Sequence, residues 1–184
     1  MSKRDAKDIL VQSFKALLQE HAFDKITVKM ITDRAGVIRS TFYHHFIDKY
    51  EVVEYICKEE VFNLAEKLIS QGKPIEAIRL MFIQIEANKA FFMKIVKIEG
   101  QNDFEEIFYT NFLRLFIKNF KVFGDEDKHH NSILKPSTVA MYYAKGLTFV
   151  VKVWLGTGML IGAEEAAQNY LTLVTHSIED IFHK

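Results

Sequence analysis

The stretch TVKMITDRAGVIRSTFYHHFIDKY, residues 27–50, leaves the backbone little choice. Gly36 sits between two short apolar-periodic segments, where a helix C-terminus needs a left-handed residue that glycine adopts without strain. Thr27 has the chemistry of an N-cap for a helix over 28–35 that buries Ile31. Val37 then plugs the turn. A further helix of about two turns, Arg39 to His45, buries Phe42 and Phe46 at i, i+4 spacing. Its remaining positions are Arg, Ser, Thr, Tyr and His. A short helix with a polar, basic and aromatic outer face, set behind a tight turn, needs a partner that rewards that face.

The rest of the chain repeats the helical period. Residues 5–21 place Ile9, Leu10, Phe14, Leu17 and Leu18 on one face. A long helix is expected over 48–71, with Val52, Val53, Ile56, Val61, Leu64, Ala65 and Leu68 inward. Gly72 and Pro74 close it and open the next, the usual order of helix stop and start. Further helices are expected over 75–87, 89–98, 103–123, 136–156 and 163–182, with a charged loop at 124–130. Only two prolines and eight glycines among 184 residues argue against a turn-rich β fold. The expectation is an all-α chain of about nine helices. Residues 1–48 form a helix-turn-helix domain and 49–184 a larger helical domain.

Charge and chemistry narrow the function. The chain is neutral overall, but residues 1–50 carry nine Lys/Arg against six Asp/Glu, a surplus of three, so the remainder is net −3. A mildly basic end on an acidic body points to contact with a polyanion at that end. The single cysteine, Cys57, excludes an internal disulfide and fits a reducing, cytoplasmic setting. No run of 18 apolar residues and no leader pattern appears, so no membrane partner is expected. Phosphate loops, His-Glu-x-x-His, Gly-x-Ser-x-Gly and cysteine pairs are absent, which leaves no enzyme signature and no cofactor. His44–His45 and His129–His130 are adjacent pairs. Neighbours on a helix point about 100° apart, so neither pair reads as a metal site.

Two helices joined by a Gly-Val turn suit a helix-turn-helix, whose second helix enters the DNA major groove. Lys29 and Arg39 can reach base edges or phosphates, and Ser40, Thr41 and Tyr43 can donate to phosphate oxygens. Lys49 can reach the DNA backbone from the start of the long helix. The segment from Gly36 to Lys49, GVIRSTFYHHFIDK, resembles the N-terminal signature of TetR-type transcriptional regulators, as does Phe23-x-x-Ile-Thr-Val just upstream. That resemblance covers roughly residues 5–55. It implies a double-stranded DNA operator as partner, with Thr27 on a phosphate and Lys29 on a base or phosphate. It further implies Arg39 and Ser40 on bases, Thr41, Tyr43, His44 and His45 on phosphates, and Lys49 on the backbone. One departure stands out. Such sequences carry Ser or Asn where this chain has Ile38, and losing a helix cap costs about 1 kcal/mol. Trp154–Met159, WLGTGM, followed by Glu164–Glu165, faintly resembles the dihydroxyacetone-kinase-regulator subgroup.

A reading head this small is expected to work as a homodimer on a palindrome. The last two helices are apolar on nearly every side, and Val139, Tyr143, Val150, Ala167, Tyr170, Leu171, Val174 and Ile178 are expected at the dimer interface. Phe108, Phe112, Phe116 and Phe120 form an i, i+4 aromatic stripe that by default is core. The resemblance implies instead a cavity for a small apolar effector between the middle helices. Its expected lining is Phe82, Gln84, Ile85, Phe108, Tyr109, Phe112, Met141 and Trp154. The whole reads as a ligand-responsive regulator, a repressor by expectation. The alternative is a body that docks a protein partner, in a regulator that activates.

Overall fold

The computed structural model describes residues 3–100, 103–120 and 133–182, and among them every regular element is helical. The expected loop at 124–130, with His129 and His130, lies outside the described residues. α1 (Lys3–Glu20) leads through a 3₁₀ turn (Phe23–Lys25) into α2 (Val28–Ala35) and α3 (Arg39–His45). α4 (Lys49–Cys57), a π-helical turn (Lys58–Phe62) and α5 (Asn63–Ser70) follow without a break in helical backbone. The body continues with α6 (Pro74–Ala87), α7 (Lys89–Ile95), α8 (Phe104–Phe120), α9 (Pro136–Gly156), α10 (Ala163–Thr175) and α11 (Ile178–Phe182).

The first three helices form a small corner. α1 packs on α2, α3 and α4, with Leu10, Phe14, Leu18, Ile31 and Phe42 fully buried between them. The local signals act as the sequence suggests. Thr27 Oγ1 accepts from the Met30 N–H at 3.2 Å, and Gly36 closes α2 at φ 65°, ψ 33°. Asp48 caps α4 by accepting from the Tyr50 and Glu51 N–H groups at 2.8 and 3.0 Å.

The π turn changes which side chains of the long helix face inward. An extra residue in one turn rotates everything beyond it. Leu64 and Leu68, expected inward, are only half-buried, whereas Phe62 is fully enclosed. Phe62 meets Phe108 and Phe112 edge-on, both at 5.3 Å between ring centres. Cys57, one turn earlier, is completely buried, and burial pushes its thiol pKa far above the ordinary value.

The body is built on three helix pairings: α8 lies antiparallel along α9, and α6 meets α5 on one side and α10, antiparallel, on another. Residues expected to line an effector cavity instead fill the space between these helices. Phe82, Ile85, Phe108, Phe112 and Trp154 are all buried. Phe108 stacks on Phe104 at 4.1 Å, and Phe82 packs against Trp154 at 5.3 Å. Trp154 is satisfied as well, its Nε1 donating to the Ile161 carbonyl at 2.8 Å. Gln84 and Tyr109 are half-buried, the latter beneath the Lys145 ammonium, and Met141 faces outward. Clefts open elsewhere: one of about 660 Å³ runs past Met93, Val96, Phe149 and Val153.

The outer face also differs in detail from expectation. α9 turns Ala140, Ala144, Leu147, Val151 and Leu155 inward, so Tyr142, Phe149 and Val153 point out, at 75 %, 67 % and 47 % exposure. Val139, Tyr143 and Val150 lie on the flanks, half-buried. On α10, Ala167 and Tyr170 belong to the protomer's own core, because that face meets α6. Leu171 and Val174 are half-buried and Ile178 is exposed. The single helix expected over 163–182 is broken at His176, whose backbone is extended. Ser177 and Asp180 restart it by a reciprocal cap: Ser177 N–H donates to Asp180 Oδ2 at 3.0 Å, and Asp180 N–H donates to Ser177 Oγ at 3.2 Å.

Candidate nucleic-acid interface

α3 is a two-sided element. Phe42 and Phe46 anchor it, their ring centres 5.8 Å apart and both buried. Arg39, Ser40, Tyr43 and His44 lie on the open side. Arg39 and Tyr43 are four residues apart and therefore share a face. The Tyr43 ring rests edge-on against Phe42 at 5.6 Å and is exposed. Thr41 is half-buried, and its N–H donates to the Ile38 carbonyl at 3.0 Å.

Thr27 and Lys29 stand exposed at the start of α2. Lys29 pairs with Asp33 at 2.6 Å. Exposed i, i+4 pairs of this kind hold by only a few tenths of a kcal/mol, so the ammonium remains exchangeable toward a stronger anion. Arg34 is used differently. Its guanidinium grips the Glu20 carboxylate through two hydrogen bonds of 2.6 and 2.7 Å, tying α2 to the end of α1. That bidentate pair holds the Glu20 pKa below the usual carboxylate range.

His44 and His45 diverge as the helical period requires, their rings 5.1 Å apart and nearly perpendicular. No metal-binding cluster occurs among the described residues. His45 is half-buried and turns toward a groove between α1 and α4 that Lys7, Gln12 and Tyr55 also line, which moves it off the open face of α3.

Lys49 requires a correction. Its side chain reaches back across the head, and Nζ donates to the carbonyls of Phe23, Ile26 and Asp24 at 2.7, 2.9 and 3.2 Å. It also lies 4.4 Å from the centre of the Phe23 ring. An ammonium has three donors, and all three are committed here. Burial draws its pKa below the ordinary lysine value, against the opposing pull of Asp24 and Asp48. The residue is a clamp that fixes the 3₁₀ turn to the start of α4, its ammonium occupied by carbonyls of its own chain. Nothing local in the sequence signals this, because the carbonyls come from a turn more than twenty residues away.

Sequence reasoning also passed over Ile47 and the Asp48 cap. Ile38, Tyr43 and Ile47 are the exposed large apolar side chains of the described head, and all three sit on α3 or at its ends.

Comparison with known proteins bears on this geometry. Residues 14–56 match the family model described as bacterial regulatory proteins, tetR family. Residues 72–176, more than half of the chain, match a model for the C-terminal region of transcriptional regulators of the same family. A curated relative, the HTH-type dhaKLM operon transcriptional activator DhaS of Lactococcus lactis, is 26 % identical over 146 residues, 78 % of this chain and 76 % of that protein. The structure of a dihydroxyacetone kinase operon activator DhaS superposes with a TM-score of 0.61 at 23 % identity, covering 92 % of this chain and 93 % of that one. A TetR-family transcriptional regulator from Syntrophomonas wolfei gives 0.68 at 16 % identity, covering 96 % and 98 %. The fatty acid degradation regulator FadR from Bacillus halodurans gives 0.63 at 18 %, covering 96 % and 100 %. The exposed polar face of α3, its buried phenylalanine anchors and the match along both parts of the chain lead to one conclusion: this protein belongs to the TetR family of transcriptional regulators and is not an enzyme.

Proposed function

We propose that this regulator binds a two-fold symmetric DNA operator as a homodimer, with α3 of each protomer in a major groove. The observation that carries the reading is the division of α3 into a buried Phe42–Phe46 side and an open side bearing Arg39, Ser40, Tyr43 and His44. Arg39 and Ser40 read base edges, and Thr27, Lys29, Thr41, Tyr43 and His44 hold phosphates, which fix the register. The direct test is a gel-shift titration with the DNA upstream of the protein's own coding sequence. Arg39→Ala and Tyr43→Ala should each lower specific affinity by roughly ten-fold or more. Unchanged affinity for both variants would remove α3 from the interface.

Two observations favour activation over the effector-relieved repression that the sequence suggests. The DhaS relative is described as a transcriptional activator. The rings expected around an effector pack against one another, Phe82 on Trp154 and Phe108 on Phe104. A promoter–reporter strain lacking this gene separates the two signs of control: activation predicts lower reporter output in the deletion, repression higher.

A further inference from the structure

Ile38 leaves α3 without a side-chain cap and is not buried against the described residues in exchange. It is the N-cap of α3, with extended backbone at φ −80°, ψ 156°, and its side chain makes no capping hydrogen bond. Ser, Thr, Asn or Asp at that position would satisfy one of the free N–H groups of the first turn. Its hydrocarbon is also left in water, 72 % exposed, although Val37 immediately before it packs against the core. A lone surface isoleucine is ordinary. An uncapped, unburied one at the N-terminal end of the helix that reads DNA is a local rule broken at the functional site.

The groove itself limits what such a side chain can recognise. The first residues of a recognition helix are those that meet base edges. Major-groove edges present donors and acceptors, which an isoleucine cannot use, and one apolar group, the C5-methyl of thymine. The Ile38 side chain has no donor for a phosphate either, so it contributes nothing to the salt-dependent part of binding. We propose that Ile38 is a specificity-determining residue that packs against a thymine C5-methyl in each half-site, beside the bases read by Arg39. The inference rests on α3 entering the major groove and adds to it the identity of one base and the atom by which it is told apart.

Neighbouring apolar groups do not serve equally. Tyr43 carries a hydroxyl and is held edge-on by Phe42, and the Ile47 N–H is engaged by the Glu51 carboxylate at the far end of α3.

The test uses the full-length protein and duplexes enriched from a randomised pool. Thymines of the enriched duplex are replaced one at a time by deoxyuridine, which deletes only the methyl group. Dissociation constants are measured for the wild type, Ile38→Val and Ile38→Ser. One thymine per half-site should weaken wild-type binding roughly four-fold when replaced, the effect of one buried methyl. Ile38→Val should keep that sensitivity. Ile38→Ser should lose it at that position alone, while melting at a higher temperature because a cap is restored. The proposal is overturned if uracil changes wild type and Ile38→Ser by the same factor at every position, or if the enriched half-site contains no thymine. Failure to enrich any duplex over the unselected pool is a different result: it removes α3 from the groove altogether, and this inference with it.

Discussion

Lys49 shows how one ammonium can be spent inside a DNA-reading head. Its three carbonyl partners and the Phe23 ring make it a strut between the 3₁₀ turn and α4. Lys49→Met should therefore lower stability by about 1.5–3 kcal/mol, the range for hydrogen bonds to a charged donor, read as a fall in the urea midpoint. The slope of log affinity against log salt should stay the same, since no phosphate contact is lost. A flattened slope with unchanged stability would return Lys49 to the DNA backbone. Glu20 offers a second measurement. Arg34 holds its pKa down, so the pair's contribution is complete above the unfolded carboxylate pKa and is lost as pH falls through the lower, folded value. An NMR titration of the Glu20 carboxyl should show that low midpoint, and Arg34→Ala should raise it. Both residues show what sequence can and cannot convey. Thr27, Gly36 and Phe42 are legible because each acts within one or two turns of itself. The partners of Lys49 and Arg34 lie 14 to 26 positions away, brought close only by the fold.

At the level of elements, the π turn is the feature that periodicity misses. The apolar pattern suggests Leu64 and Leu68 inward, and both are only half-buried because the wider turn at Lys58–Phe62 rotates the positions beyond it. The aromatic centre of the body is then built by Phe62 from one side and Phe104, Phe108 and Phe112 from the other. Phe62→Ala should cost about 3–5 kcal/mol, measured by chemical denaturation, whereas Leu64→Ala should cost clearly less because that side chain is only half-buried. The same packing explains the effector cavity that the sequence suggests. An i, i+4 phenylalanine stripe does not reveal whether facing rings fill the space beside it, and here Phe62 and Phe92 do. The break before α11 was legible in principle, since Ser177-x-x-Asp180 is a capping sequence within an otherwise continuous helical pattern.

On the scale of the whole molecule, the proposed dimer requires a surface that can hold two reading heads together. Tyr142, Phe149 and Val153 form an outward apolar stripe along α9, and Leu173 and Ile178 extend the exposed apolar surface on α10 and α11. Phe149→Glu places a charge in the middle of that stripe without touching the core. In sedimentation velocity the wild type should run as a dimer and Phe149→Glu as a monomer, with operator affinity falling in parallel. A Phe149→Glu protein that remains dimeric would move the interface to another face. Two residues expected at the interface, Ala167 and Tyr170, are enclosed within the chain's own core for a simple reason. Hydrophobic pattern marks a helix as buried on two sides, but only packing tells which side α6 has already taken, and it has taken Ala167 and Tyr170.

Cys57 has a practical consequence that follows from its burial. It is the chain's single cysteine, wholly enclosed in the wall of α4, and its thiol resists ionisation. Thiol-directed reagents attack the thiolate, so the native protein is close to inert toward maleimides. A cysteine introduced at an exposed site of the head away from α3, such as Ala22→Cys, can carry a spin label or fluorophore without first removing the native residue. The spacing between the two heads of a dimer thereby becomes a directly measurable distance, with and without DNA.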